Sequence, residues 1–104
     1  MWYAASLLFQ CVRNHSATVD DMWELQIVLI QSDTEANATM LADRTGREKE
    51  HEYISSSGDK TCWVFRQVES VLQLRDQEIN SGVEVYARYL RAGDVINFMR
   101  PFDN

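Results

Sequence analysis

Residues 82–90 alternate apolar and polar side chains from a turn glycine onward. One side of this stretch would carry Val83, Val85, Ala87 and Tyr89, and the other side would carry Glu84, Tyr86, Arg88 and Leu90. Successive side chains of a β-strand point to opposite faces, so a period of two residues is typical of a strand. The pattern therefore predicts a strand over residues 82–90.

Two segments near the start of the chain also have strand-like patterns. Residues 2–12 place their apolar side chains Tyr3, Ala5, Leu7, Phe9 and Cys11 on one face. Residues 22–31 are expected to turn Trp23, Leu25, Ile27 and Leu29 toward the core. Both strands carry further apolar residues on the opposite face, which is normally polar in a one-sided antiparallel sheet. We therefore expect the C-terminal tail or a second copy of the protein to cover part of that face.

The segment of residues 61–74 predicts a third strand, because it is rich in aromatic and β-branched side chains. Its apolar residues fall at odd positions first, as at Trp63 and Phe65, and at even positions later, as at Val68 and Leu72. This switch in parity lies between Arg66 and Ser70 and indicates a bulge or bend. A helix is the alternative, since Val64, Val68, Val71 and Leu72 also have helical spacing. Residues 51–54 form a short piece without a clear pattern, and residues 55–59 read as a flexible loop.

One amphipathic helix is predicted between residue 33 and about residue 50. Ser32 followed by Glu35 forms a capping-box pattern, with Asp33 as the alternative N-cap. The buried stripe would consist of Ala38, Leu41, Ala42 and Thr45, which are spaced at helical intervals. These side chains are mostly small, so the helix can lie close to a sheet. Gly46 would mark an early end of the helix or a kink.

The tail after residue 91 has a second, shorter helical pattern. Val95, Ile96, Met99 and Phe102 recur at helical spacing, and Pro101 would break the end of the helix. We expect a short helix or an arm that needs a surface to pack on.

Together these elements predict an α+β fold in the order β-β-α-β-β. An antiparallel sheet of about four strands would carry one helix on one face, with a short C-terminal helix or arm. The chain of 104 residues is expected to be a single domain, with its core in residues 2–90 and its tail in residues 91–104. A core of this size is small, so stabilisation by a partner chain is plausible.

The chain is acidic, with a net charge of −6 and a pI of about 4.7. Binding to DNA or RNA depends on Lys and Arg neutralising phosphates, so this charge argues against nucleic acid as a partner and is compatible with a basic protein. No apolar run approaches the ~20 residues of a membrane span, and the N-terminus lacks the basic region of a signal peptide. We expect a cytoplasmic protein without a membrane partner, in which Cys11 and Cys62 are buried, reduced thiols.

The sequence contains no recognisable catalytic or metal-binding motif. His15 and His51 have no partner pattern around them, the acidic residues near His51 lie among basic ones, and the glycines are isolated. We therefore predict no catalytic residue, no metal site and no cofactor, and an enzyme has the least support.

One cluster could nevertheless bind a ligand. If the strands that carry them are neighbours, Glu24, Glu84, Arg88, Tyr86 and Trp2 could form one polar and aromatic patch. Arg88 would hold an anionic group while a ring stacks on the ligand. The alternative interpretation is a cross-strand ion pair on a solvated or dimer-facing surface.

Several short motifs resemble those of a family of small, uncharacterised, single-domain bacterial proteins. They are Trp2-Tyr3 at the start of the first strand, Trp23-Glu24, Thr61-Cys62-Trp63-Val64-Phe65, and the closing stretch Gly82-Val83-Glu84-Val85-Tyr86-Ala87-Arg88. The last motif resembles the family's G-x-E-V-Y-S-R strand, with Ala87 in the place of the serine. The resemblance covers about residues 2–90 and implies a fold and a cytosolic bacterial setting, but no activity.

Two functions follow as hypotheses. The first is a non-enzymatic interaction protein that forms a homodimer and binds a basic protein partner, for instance as an immunity protein or inhibitor. The second is a binding module for a small molecule or nucleotide that uses the patch around Arg88.

Overall fold

A single antiparallel sheet organises the protein, whose computed structural model describes residues 1–99. Its strands are β1 (Trp2–Arg13), β2 (Trp23–Gln31), β3 (His51–Ile54) and β4 (Lys60–Gln73). The helices are α1 (Glu35–Glu48), between β2 and β3, and α2 (Ala92–Met99), after β4. The spatial order is β2-β1-β4-β3, so the two longest strands lie in the centre. This architecture confirms the predicted α+β class with a four-stranded antiparallel sheet.

The closing strand predicted at residues 82–90 is wrong. This segment pairs with no strand in the described part of the chain, and the fourth strand is instead β3, whose pattern was unclear. The four residues of β3 pair with the first four of β4, from His51 opposite Trp63 to Ile54 opposite Lys60. Alternation makes a segment fit for a sheet, but a strand forms only where the segment pairs with another backbone.

The predicted orientation of β2 is also wrong. Trp23, Leu25, Ile27 and Leu29 face away from α1, whereas Val28 and Ile30 belong to the core side. The register with β1 decides this, because it sets Ile30 opposite the buried Tyr3. Since both faces of β2 carry large apolar side chains, hydrophobicity alone could not identify the inner one.

Two irregularities in β4 confirm the predicted bulge. The register with β1 shifts between Ser6 and Leu7 and again between Leu8 and Phe9. The shifts leave Glu69 and Arg66 as extra residues in β4. The first extra residue reverses the side to which the chain points, so Val68 lies on the core face with Phe65. The second restores it, so Val71 lies on the core face and Leu72 on the opposite face.

The core lies between α1 and one face of the sheet. It consists of side chains from β1, β2, α1 and β4: Tyr3, Ala5, Leu7, Phe9, Ile30, Ala38, Ala42 and Phe65. The rings of Phe9 and Phe65 meet at a centroid distance of 5.6 Å with their planes tilted by 55°, a favourable arrangement for an aromatic pair. The small side chains of α1 let the helix lie close to these rings.

The ends of α1 differ in detail from the sequence-based expectation. The N-cap is Thr34, not Ser32 or Asp33, and its hydroxyl accepts a hydrogen bond from the backbone N–H of Asn37 at 3.1 Å. Gly46 neither ends nor kinks the helix, which continues to Glu48. Its role is steric, because a Cβ atom at Gly46 would lie 2.3 Å from Cε1 of Phe65.

The tail after β4 leaves the sheet. The backbone N–H of Trp2 donates to Oε1 of Gln77 at 2.6 Å, which holds the start of this segment against β1. Residues 92–99 form the predicted short helix, α2, and within the described residues α2 packs against no other helix or strand. The predicted apolar position Phe102 and the helix break at Pro101 lie outside the described residues.

Replacing Gly46 with alanine is expected to destabilise the protein. Alanine favours a helix over glycine by about 1 kcal/mol, but the added methyl group must displace the Phe65 ring, and overpacking a core costs about 1–3 kcal/mol. We expect a net loss of about 1 kcal/mol in the free energy of unfolding, measured by urea denaturation. The matched control is Gly93→Ala in α2, where nothing lies within 4 Å of the added Cβ. Equal stability of the two variants would contradict the steric role of Gly46.

Candidate functional site

The face of the sheet opposite α1 is open and carries a row of large apolar side chains. Trp23, Leu25, Ile27 and Leu29 project from β2 on this side and are 47%, 41%, 39% and 39% exposed. We call these four residues the β2 ridge. Scattered apolar side chains are normal at a protein surface, but a contiguous row on one strand is typical of an interaction site.

A set of polar side chains lies beside the β2 ridge on β1 and β4. The buried Ser6 hydroxyl donates to Oε2 of Glu69 at 2.5 Å and lies 2.7 Å from the hydroxyl of Ser70. Farther along the sheet, Nε of Arg66 donates to Oε1 of Gln10 at 2.9 Å. We call these five residues the polar row. The two bulges of β4 supply its two charged members, Arg66 and Glu69.

The polar row is anchored to the loop between β1 and β2. Nε2 of Gln10 donates to Oδ2 of Asp21 at 2.9 Å. The backbone N–H of Thr18 donates to the same carboxylate, and these two hydrogen bonds lower the pKa of Asp21, with the Thr18 bond the larger cause. No buried side-chain nitrogen or oxygen among residues 1–99 lacks a hydrogen-bond partner. The polar row therefore needs no external ligand to satisfy its buried groups.

The structure places the predicted ligand-binding residues in separate parts of the molecule. Trp2 belongs to the open face, whereas Glu24 lies on the α1 side of β2 and accepts a hydrogen bond from Gln26. Arg88 is in the tail, where its guanidinium lies 5.6 Å from the ring centroid of Phe98. Ligand binding by these residues stays a prediction, and its premise of one shared sheet face is not met.

Several hollows involve the tail. Arg88 lines one of about 480 Å³ together with Tyr89, Leu90, Asp94, Asn97 and Phe98, all from the tail itself. Glu84 and Tyr86 meet residues 72–75 around a cavity of about 100 Å³, below the ~300 Å³ of a typical ligand pocket. A larger groove of about 520 Å³ lies where β2 leads into α1. It is lined by Met1, Gln31, Ser32, Asp33, Asn37, Met40, Leu41 and Arg44. The groove mixes apolar and polar groups, and neither the sequence pattern nor its hydrogen bonds single out a ligand.

The candidate nucleophile Ser6 and the two histidines do not meet in one site among residues 1–99. Ser6 has a carboxylate beside it, but its side chain is fully buried and cannot reach a substrate. His15 lies in the exposed loop after β1, and His51 at the start of β3 stacks on Tyr53. Within residues 1–99, no three His, Cys, Asp or Glu side chains converge into a set that could hold a metal ion.

Sequence reasoning identified the apolar residues of the open face but assigned them to the core, and it missed the polar row. The signal for Arg66 and Glu69 was present as the parity switch in residues 66–70. A bulge is recognisable from such a switch, but the neighbours of its extra residues depend on the register with β1.

The Cys62 thiol on the open face is expected to react slowly. Burial raises the pKa of this thiol, and the nearby carboxylates of Glu52 and Glu50 raise it further. Because the thiolate is the nucleophile, less of it is present at neutral pH than in an unfolded chain. We expect alkylation by iodoacetamide at pH 8 to be slower in the folded protein than in urea, and its rate to rise at higher pH. Peptide mapping by mass spectrometry measures this for Cys62 separately from Cys11. Equal rates in the two states would contradict the raised pKa.

Comparison with known proteins adds a family but no activity. No curated protein and no solved structure matches this chain. No helix among the described residues is long and apolar enough to cross a membrane. A family model described as a domain of unknown function matches residues 2–87, which include the four strands, α1 and the first part of the tail. The chain therefore belongs to the family of the domain of unknown function DUF4288.

Proposed function

We propose that this domain is a non-enzymatic protein-interaction module that acts as a homodimer through the open face of its sheet. The observation that carries the proposal is the β2 ridge, in which four adjacent large apolar side chains remain 39–47% exposed. Removing such surface from water is the main driving force of protein association.

The dimensions of the open face suit a stable interface. The four strands have 12, 9, 4 and 14 residues. At about 3.3 Å along a strand and 4.8 Å between strands, they offer roughly 600 Å² on one side. A standard interface uses about 800 Å² from each partner. Burying the exposed parts of the ridge contributes about 1 kcal/mol for each side chain, at ~25 cal/mol per Å². A second copy presents the same ridge, so one apolar surface meets another.

The polar row lies on the central strands β1 and β4, beside the β2 ridge on the outer strand. Its groups already bond to one another, since Ser6 bonds to Glu69 and Arg66 bonds to Gln10. These internal hydrogen bonds lower the penalty for covering the polar row, because the bonded donors and acceptors keep their partners when water is removed.

The acidic surface supports a second partner of basic character. Acidic residues outnumber basic ones by 16 to 10. Residues 1–99 contain only two ion pairs, Arg47 with Asp43 and Lys60 with Glu52. Most carboxylates thus face solvent without a counter-charge and favour a basic protein. An immunity protein or inhibitor in a bacterial cytoplasm is the form of this function that we favour.

Introducing a charge into the β2 ridge is expected to break the homodimer. Glu at position 27 would bury two unpaired carboxylates per dimer, and we expect the dissociation constant to rise at least 100-fold. Analytical ultracentrifugation of the wild type and of Ile27→Glu measures this directly. The matched control is Met40→Glu, which adds the same charge at an exposed apolar residue of α1.

The wild type should sediment as a dimer of the 12.1 kDa chain, Met40→Glu should do so as well, and Ile27→Glu should be a monomer with unchanged circular dichroism. A wild type that is monomeric at every concentration tested would overturn the homodimer. A dimer that survives Ile27→Glu would move the interface away from the open face.

A further inference from the structure

The outer edge of β2 is open to another strand. All nine residues of β2 pair with β1 in unbroken register, and no described strand lies on its other side. Proteins usually protect such edges with Lys, Pro, bulges or very short strands. β2 contains no Lys, Arg, Pro or Gly. The opposite edge, β3, is protected by its length of four residues and by the Glu52–Lys60 ion pair.

The tail carries a strand-like segment that has no strand beside it. Residues 83–90 alternate like a strand, yet they form no ladder, and Tyr89 is fully exposed. Beyond this segment, α2 packs on none of the described helices and strands. The radius of gyration is 16.2 Å, compared with about 13 Å for a compact chain of this length. The tail therefore extends from the domain while an unprotected edge stays free.

We propose that Val83–Tyr89 of one chain pairs antiparallel with β2 of a second copy, so that two chains exchange their tails. This proposal rests on the homodimer proposed above and names a contact that the open face alone does not provide. Each tail becomes the fifth strand of the partner's sheet, and its backbone groups satisfy those exposed along β2.

Charge selects the register of this pairing. Glu24 is the single charged residue of β2, and Arg88 is the single basic residue of Val83–Tyr89. Setting Arg88 opposite Glu24 forms a cross-strand ion pair. The same register sets Tyr89 opposite Trp23 and Val85 opposite Ile27. The apolar side of the tail then continues the β2 ridge and widens the open face.

The structure favours the second copy over the same chain as the acceptor. Residues 78–82 could span roughly 17 Å, enough to reach a chain's own β2. In the single chain, however, residues 83–90 do not pair with the outer edge of β2, although that edge is free. Residues 84–87 lie beside residues 72–75 at the end of β4, and Arg88 contacts Phe98 of its own tail.

Mixing two charge-reversal variants tests exchange between chains. Glu24→Arg and Arg88→Glu each create like-charge pairs in their own homodimers, and we expect each dimer to be about tenfold weaker than the wild type. In a mixed dimer, one interface has the reversed pair and the other has the wild-type pair, so both are attractive. Native mass spectrometry of an equal mixture should therefore show heterodimers well above the statistical half. A statistical distribution would overturn the exchange.

A disulfide provides the second measurement. Glu24→Cys combined with Arg88→Cys should give, after mild oxidation, a covalent dimer on a non-reducing gel, because directly opposite Cα atoms lie at disulfide distance. The matched control is Glu24→Cys with Ala87→Cys, where the second thiol points to the other face. The single variants give the background. A disulfide within one chain, or no disulfide above this background, would overturn the exchange.

The outcomes separate the two proposals. A wild-type dimer that dissociates with Ile27→Glu but shows neither heterodimer enrichment nor cross-linking overturns the tail exchange and keeps the open-face interface. A dimer that cross-links but survives Ile27→Glu supports the exchange and moves the main interface from the open face to the edge.

Discussion

The close approach of α1 to the Phe65 ring determines which face of the sheet becomes the interior. Gly46 leaves room for that ring, and Ala38 and Ala42 continue the stripe of small residues along the helix. A helix that lies this close covers the central strands tightly, and Phe9 and Phe65 fill the space beneath it. Because α1 is the one helix of residues 1–99 that packs on the sheet, no helix covers the opposite face. The open face is thus a direct consequence of how α1 packs.

The open face combines an apolar feature with a polar one. The β2 ridge exposes large apolar side chains, which favour association, and the polar row beside it is bonded internally. The bulges of β4 link the two features, because they bring Arg66 and Glu69 to the same side as Ser6 and Gln10. The internal hydrogen bonds lower the penalty for covering such a surface.

The tail adds a strand-like segment, residues 83–90, that pairs with no strand among residues 1–99. The outer edge of β2 likewise lacks a neighbouring strand. Pairing the segment with this edge would give both backbones their hydrogen-bond partners. Exchange of tails between copies would also join the edge of the sheet to its open face in one interface. The family match ends at residue 87, within this segment, so the family's shared sequence includes most of the proposed strand.

Local pattern in the sequence determined most of the secondary structure: β1, β2, α1, β4 with its bulge, and the first part of the tail helix follow from periodicity and residue type. The tertiary structure alone decided which face of β2 is inside, which segment supplies the fourth strand, and where Arg66 and Glu69 point. These depend on register and on the availability of an edge, which pair residues far apart in the chain. Residues 82–90 show the difference most clearly, since their sequence makes them fit to be a strand, but a strand forms only where another backbone offers its hydrogen bonds.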